Sequence, residues 1–511
     1  MSNHITIIDF GSQYTQLIAR RIRELNVYSI IVPYTESPNK ILDKNPCGII
    51  LSGGPSSIYE KNAPQISKEI LKSNIPILGI CYGMQLLIDF YDGEIGKSNN
   101  REYGISEISQ NKKSSLFKNV SNKTQVWMSH GDHLNKAPNG FEIIAHSIDK
   151  IPAAISSNDK LKYGIQFHPE VSHTSEGKSI LSNFIFEICK SKSDWTSEEF
   201  IESQINSIKK IVGDDKVICG VSGGVDSTVT YKLLYEAIGE NVIPVFIDNG
   251  LLRKNEFEFV NSMFKNRMNI PLNSFNCKKL FLDNLKGVSN PERKRKIIGR
   301  EFIRVFEKIS KNYKNLKYLA QGTLYPDIIE SVSVNGPSVT IKSHHNVGGL
   351  PKKLNLTLIE PMKELFKDEV REIGRSLNVP EDILMRHPFP GPGLAVRILG
   401  DITPKKIKLL QNADAIFIDE LQSQGLYNST WQAFAVLLPV KSVGVMGDKR
   451  TYQRAIALRA VSSRDGMTAE WTEFPHDFLR RVSTRIVNEV PGINRVVYDI
   501  SNKPPGTIEW E

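Results

Sequence analysis

Cysteine is scarce in this chain, and long apolar runs are missing. Five cysteines in 511 residues, Cys47, Cys81, Cys189, Cys219 and Cys277, form an odd set without a C-x-x-C pair. That pattern argues against a disulfide framework or a cysteine-rich zinc module and leaves room for a reactive thiol. No stretch approaches the roughly 18 consecutive apolar residues of a membrane span. The opening Met-Ser-Asn-His-Ile-Thr-Ile-Ile-Asp-Phe has neither the basic start nor the long apolar core of a secretory signal. A soluble, cytoplasmic protein is expected, with no membrane partner. Repeats and low-complexity tracts are also missing, which removes solenoids and disordered scaffolds.

What is there is globular: 40% hydrophobic and 24% charged residues. The length exceeds what one core usually supports, so two to four domains are expected. Sixty-five basic against 56 acidic residues give a net charge of +9. Nucleic acid, an anionic substrate or a generally solvated basic surface would each account for it, and charge alone does not choose.

Short β-rich runs (5–8, 48–51, 76–80) alternate with helix-compatible stretches (16–24, 84–90) up to about Lys190, the pattern of an open α/β sheet. The polar segment Lys190 to Thr196 precedes a helix-like 197–211 and reads as a linker. A second alternating block contains strand-like runs at 216–221, 242–248 and 318–321. It reaches Pro388-Phe-Pro-Gly-Pro-Gly393, where proline and glycine break regular structure. The expected fold class is α/β: two open, mostly parallel α/β domains at 1–192 and 193–388, then a small α+β domain at 389–511.

In the first block, Ile75-Pro-Ile-Leu-Gly79-Ile-Cys81-Tyr-Gly83-Met reads as a buried strand, a sharp turn and a helix, with a glycine two residues either side of the cysteine. This is a nucleophile elbow carrying sulfur, and a helix N-terminus favours the thiolate. Further on, Phe167-His168-Pro-Glu170 ends an apolar strand. Residues i and i+2 of an extended segment face the same way, so Glu170 can orient His168 as it takes the thiol proton. Gly53 and Gly54, after another strand, and the N–H of Tyr82 are candidate oxyanion donors. These three segments resemble the class I glutamine amidotransferase family over roughly residues 4 to 190. The resemblance implies Cys81 as nucleophile forming a glutamyl thioester, His168 as base and Glu170 as third member. Two nearby patterns are set aside. Gly93-Glu-Ile-Gly-Lys97-Ser98 lacks the first glycine of a Walker loop, because position 91 is Tyr91, and is expected to be a turn. His130 and His133 have no matching ligand set and are expected in a loop near the glutaminase pocket.

In the second block, Val217-Ile-Cys-Gly-Val-Ser222-Gly223-Gly224-Val225-Asp226-Ser227-Thr228 again runs from strand through a glycine turn to a helix, a cradle of N–H groups and hydroxyls for phosphate. It lacks the Walker lysine and resembles the pyrophosphate loop of N-type ATP pyrophosphatases. That resemblance implies ATP cleavage between the α and β phosphates, with Mg2+. The basic run Pro291 to Arg300 is open to three readings: a solvated helix face, a nucleic-acid patch or an anion-binding lid. The stretch Ser501 to Glu511 holds Trp and Ile beside Lys and looks like a docked substrate loop.

Together with 341–349, 389–394 and the terminal Lys-Pro-Pro-Gly-Thr-Ile-Glu-Trp-Glu, these motifs closely resemble the glutamine-hydrolysing GMP synthase family over essentially the whole chain. The resemblance implies XMP as acceptor, adenylated at its C2 oxygen and aminated to GMP. It assigns XMP contacts to Arg293, Gln432, Arg495, Lys503, Ile508 and Glu509. It assigns metal or pyrophosphate contacts to Lys363 and Asp327, and for Asp327 a helix-capping role competes. It further implies glutamine, ATP and XMP as small-molecule partners and a homodimer through the C-terminal domain, with no tightly bound organic cofactor and no nucleic acid. A different acceptor for the same two catalytic domains, or a pyrophosphate-loop protein acting on tRNA, are the alternatives. The tail opposes the first, and the lack of an RNA module opposes the second.

Overall fold

A computed structural model of the chain describes residues 3–331, 356–446, 449–463 and 468–511. The 341–349 motif and residues 447–448 lie outside the described residues. Two compact units result, one running through Phe200 and one beginning at Ile201.

In the first unit, nine strands form one sheet: β1 (His4–Asp9), β2 (Tyr28–Pro33), β3 (Gly48–Leu51), β4 (Ile77–Ile80), β5 (Glu94–Gln110), β6 (Lys123–Lys136), β7 (Phe141–Ser147), β8 (Pro152–Ser157) and β9 (Lys162–Ile165). Their order is β2-β1-β3-β4-β9-β8-β7-β5-β6. The pairs from β2 to β9 are parallel, and the rest are antiparallel. Strands β3, β4 and β9 are buried at every residue, which is why β3 and β4 read as unbroken apolar runs rather than alternating ones. The apolar faces of helices Thr15–Arg23 and Tyr82–Phe90 are buried as well.

The polar Lys190 to Thr196 segment is not a free linker. Asn3 Nδ2 donates to the Lys192 carbonyl and to Asp194, each at 2.7 Å. Trp195 packs on Tyr28 with centroids 4.6 Å apart, and the Arg23 guanidinium lies 4.5 Å from the Trp195 ring. One aromatic residue in a polar stretch is enough to fasten it.

The second unit holds two sheets. Strands β10 (Lys216–Gly220), β11 (Val242–Asp248), β12 (Asn273–Asn276), β13 (Leu316–Ala320) and β14 (Thr357–Ile359) are all parallel, in the order β12-β11-β10-β13-β14. Strands β15 (Gln432–Met446), β16 (Lys449–Ser462) and β17 (Glu470–Trp471) are antiparallel, and β18 (Ile493–Asp499) joins β16 in parallel. Helices Pro404–Ser423 and His476–Glu489 complete this α+β part. One hydrophobic core runs through both sheets, from Ile218 and Val245 to Leu410, Ala435, Ile456 and Ile486. The Pro-Gly run does break regular structure, but it is packed. Gly393 takes φ +62, where a Cβ would stand 2.5 Å from the Leu251 carbonyl oxygen, and Leu394 N–H bonds that same oxygen at 2.8 Å.

At the elbow two glycines stand close against backbone. A Cβ on Gly83 would lie 2.4 Å from the Leu51 carbonyl oxygen, and one on Gly79 would lie 2.5 Å from the Gly83 carbonyl carbon. These are backbone atoms that no rotamer change can clear. Gly83→Ala is therefore expected to cost about 1–3 kcal/mol and to lower the thermal midpoint of the first unit by several degrees. An unchanged midpoint in calorimetry would contradict this packing.

Candidate active sites

Cys81 directly follows β4 and caps the helix Tyr82–Phe90 with φ 52 and ψ −105. This backbone conformation costs a non-glycine residue about 1–3 kcal/mol and persists only where its surroundings fix it. Here Cys81 N–H bonds the Ile165 carbonyl at 2.8 Å and Gly83 N–H bonds the Ser52 carbonyl at 3.1 Å. The buried sulfur meets Gln166 Nε2 and the Ser129 carbonyl, each at 3.7 Å. Neither neighbour was expected from the sequence. Gln166 lies one residue past the end of β9, and Ser129 lies within β6.

His168 follows β9, and its N–H bonds the Trp127 carbonyl at 3.0 Å. Its Nδ1 lies 2.7 Å from Glu170 Oε1. Glu170 is fully buried, and its Oε2 has no hydrogen-bond partner among the described residues. Burial pushes the His168 pKa down, but the Glu170 carboxylate and the hydrogen bond to Cys81 outweigh it, so the imidazole is held well above its ordinary value. The three residues therefore meet. Gly53 is fitted against them, since a Cβ there would lie 3.1 Å from His168 Cε1. At Gly54 a Cβ would come within 3.3 Å of the Tyr82 ring, and the Tyr82 N–H stands in the first helical turn, where no intrahelical acceptor exists.

The histidine pair set aside above lies on strand β6 rather than in a loop. His130 pairs with Glu102 of β5, with Nε2 and Oε2 3.1 Å apart, and both are buried. Burial raises the Glu102 pKa, yet the neighbouring His130 and Ser147 side chains bring it below the ordinary carboxylate range. The Gly93 to Ser98 segment likewise turns only at its start and continues as β5 from Glu94. Among the described residues no cluster of metal ligands occurs.

In the second unit, β10 ends at Gly220 and helix Val225–Ile238 begins four residues after Val221. Ser222 and Ser227 hydroxyls meet at 3.0 Å, Ser222 N–H donates to Ser227 Oγ at 3.0 Å, and Gly224 N–H donates to Ser222 Oγ at 3.3 Å. Thr228 Oγ1 caps back onto the Gly224 carbonyl at 2.8 Å, and Val225 is buried. Asp226 Oδ2 accepts from Lys367 Nζ at 2.9 Å, while its buried Oδ1 has no hydrogen-bond partner among the described residues. Lys367, which the sequence reading did not name, is thus brought to this loop. Asp327 Oδ2 accepts from the Leu324 N–H at 3.0 Å, a first-turn capping role.

Of the acceptor-site residues, Gln432 and Glu509 are brought together, Nε2 to Oε1 at 2.7 Å. Glu509 is also held by the fully buried Arg397 in a two-bonded fork at 2.8 and 3.0 Å. Ile508 is packed into a core with Phe434, Val436 and Ala457. Lys503 pairs by backbone with Ala469, and Arg495 stands exposed on β18. Arg293 is exposed in the first turn of helix Pro291–Ser310, its N–H capped by Asn290. That helix explains the basic run: Lys294 is fully buried, donating to the Ala395 and Ile398 carbonyls and to the Glu511 carboxylate. The tail is docked, with Arg459 donating to the carbonyls of Ser501, Thr507 and Ile508. A cleft of about 460 Å³ opens beside it, lined by Asp499, Thr507, Glu509 and Trp510.

The first unit thus has the layout of a glutamine amidotransferase of the cysteine-triad class, and residues 6–188 match the family described as glutamine amidotransferase class-I. Residues 419–510 match the GMP synthase C terminal domain. Proteins named GMP synthase [glutamine-hydrolyzing] from a Nitratiruptor species and from Wolinella succinogenes are each 55% identical over 511 residues. The match covers 99% of this chain and 99% and 98% of theirs. The equivalent from Chlorobium phaeovibrioides is 56% identical over 515 residues, covering 99% of both. This chain belongs to the glutamine-hydrolysing GMP synthase family.

Glu170→Gln keeps the shape of the site and removes the charge that holds His168. Glutamine hydrolysis is expected to fall by about 10²–10⁴-fold in a coupled glutamate assay, and an undiminished rate would contradict the pairing. Because the folded pKa of His168 is raised, its stabilising contribution is full below its unfolded value of about 6.5 and is lost as pH rises through the folded value. The first unit's midpoint should therefore decline from neutral to alkaline pH more steeply in the wild type than in Glu170→Gln. Equal slopes in calorimetry would count against it.

Proposed function

We propose that this chain makes GMP from XMP, with glutamine as nitrogen donor and ATP as activating agent, and that the chemistry is divided between its two strand–turn–helix sites. The observation that carries this reading is the buried Cys81–His168–Glu170 contact on the same chain as a lysine-free phosphate loop. In the first site the Cys81 sulfur attacks the glutamine carboxamide carbon. His168 takes the thiol proton and delivers it to the departing ammonia, and Glu170 stabilises the imidazolium. N–H groups at Gly53, Gly54 and Tyr82 receive the oxyanion. Water then cleaves the thioester to glutamate.

In the second site the xanthine C2 oxygen attacks the α-phosphorus of ATP and pyrophosphate leaves. Ammonia then adds at C2 and AMP leaves. The loop Ser222 to Thr228 holds the β and γ phosphates by N–H groups and hydroxyls at a helix N-terminus. The free Oδ1 of Asp226 suits Mg2+, which would neutralise charge on the departing phosphates. Lys367 supplies a second cation. Lys363 and Asp327, named from the family resemblance, have weaker support than Asp226 and Lys367.

For XMP we propose that Glu509 and Gln432 face the purine edge and that Arg293, Arg495 and Lys503 serve the phosphate. Ile508 supports the tail from the core. Residues 1–192, 193–388 and 389–511 are read as glutaminase, ATP pyrophosphatase and acceptor-binding parts. A homodimer through the last part is supported by the exposed Val443, Val445 and Tyr452 on β15 and β16. Glutamine, ATP and a nucleoside monophosphate as substrates support a cytoplasmic location.

The test is XMP-dependent pyrophosphate release with glutamine or ammonium as donor. Cys81→Ala should lose GMP formation from glutamine and retain it with high ammonium. Ser222→Ala combined with Asp226→Ala should stop pyrophosphate release with either donor. Loss of both donors in Cys81→Ala would defeat the division of labour.

A further inference from the structure

A planar trans peptide fixes its N–H opposite its C=O, so whatever grips the carbonyl also aims the next amide. In the phosphate loop the carbonyl of Gly223 is gripped by Arg386, whose Nη1–H donates to it at 2.7 Å. Nη2–H of the same guanidinium donates to Glu256 Oε1 at 2.6 Å, and the cation lies 5.1 Å from the Phe259 ring centroid. Gly223 has φ +77, and a Cβ there would fall 2.5 Å from Val260 Cγ2 and 3.2 Å from Arg386 Nη1. The turn is thus glycine-only and closed over by this arginine. On the other side of the same peptide, Gly224 N–H points to Ser222 Oγ, into the loop where a phosphate oxygen would sit.

A glycine peptide in this conformation can flip, and the flipped form would present a carbonyl oxygen to an anion. Arg386 opposes the flip only if it is itself held, and it is. The next residue, His387, receives three constraints: its N–H donates to Tyr427 Oη at 3.0 Å, its Nε2 meets the Tyr427 carbonyl at 2.9 Å, and its Nδ1 accepts from Ala433 N–H at 3.2 Å. Its ring stacks on Tyr427 at 3.8 Å and 5°. Burial pushes the imidazole pKa down to about 4, so the ring stays neutral and these bonds persist around neutral pH.

We infer that Arg386 is a positioning residue for ATP: it locks the Gly223–Gly224 peptide with its N–H toward the β and γ phosphates. The inference rests on the reading of 222–228 as the ATP loop. With ammonium as donor, so that the Cys81 site is bypassed, Arg386→Ala should raise KM for ATP about tenfold or more with kcat at saturating ATP within about threefold, the signature of lost uniform binding. Lysine can reach one acceptor but not both, so Arg386→Lys should fall between wild type and alanine while keeping its thermal midpoint. If Arg386→Ala does not fold, the lysine variant decides, and an unchanged KM for ATP in it overturns the inference. Ser222→Ala separates the two failures. A raised KM there with an unchanged KM in the Arg386 variants removes only the role of Arg386, whereas unchanged values in all of them remove the loop assignment itself.

Discussion

Both reaction centres depend on one constraint: a buried parallel strand has to turn at its C-terminal end into a helix through glycines at which a Cβ would meet neighbouring atoms. At Cys81 the constraint is met by Gly79 and Gly83, which let the helix approach Leu51 of the neighbouring strand. The residue between them is thereby forced to positive φ. At Ser222 it is met by Gly223, closed over by Val260 and Arg386. Helix N-termini so placed stand at the strand ends, where open α/β sheets bind their ligands. The nucleophile and the phosphate loop are two uses of one geometry.

Electrostatics finishes what packing begins. Lys294, Arg397 and Arg459 are fully buried cations, and each has an acid or several carbonyls against it. Losing one partner of such a pair costs about 3–5 kcal/mol, because the remaining charge stays desolvated. The three partners all lie in the last stretch of chain, Asp499, Glu509 and Glu511. The tail is therefore held to the β15–β16 sheet and to helix Pro291–Ser310 by charges that exclude a loosely tethered segment. It stays firm while leaving Glu509 at the edge of a cleft.

How much of this was legible in the sequence follows from how local each signal is. Strands at 48–51 and 242–248 and the turns after 80 and 221 were readable because apolar runs and glycine spacing encode them over a few residues. The His168–Glu170 pairing was read from strand periodicity, whereas β9 ends at Ile165 and the two side chains meet in the turn beyond it. Gln166 and Ser129 were not legible as neighbours of Cys81, since tertiary folding brings them there from 85 and 48 residues away. Lys367 was not legible as the partner of Asp226, because the two are 141 residues apart. The Lys190 to Thr196 stretch looked like a linker because its polar residues outnumber Trp195, yet that one ring and Arg23 dock it. The basic run at 291–300 gave no hint that Lys294 is buried, because its partner Glu511 is more than two hundred residues away.

The central claim is that Cys81 forms the glutamyl thioester whose formation releases the transferred nitrogen. Acid-quenching the full-length enzyme during turnover with glutamine, ATP and XMP, followed by peptide mass mapping, tests it most directly. A γ-glutamyl adduct is predicted on the Cys81 peptide, removed by hydroxylamine and undetectable in Glu170→Gln if acylation is lost. An adduct confined to another cysteine while GMP accumulates from glutamine would contradict the account.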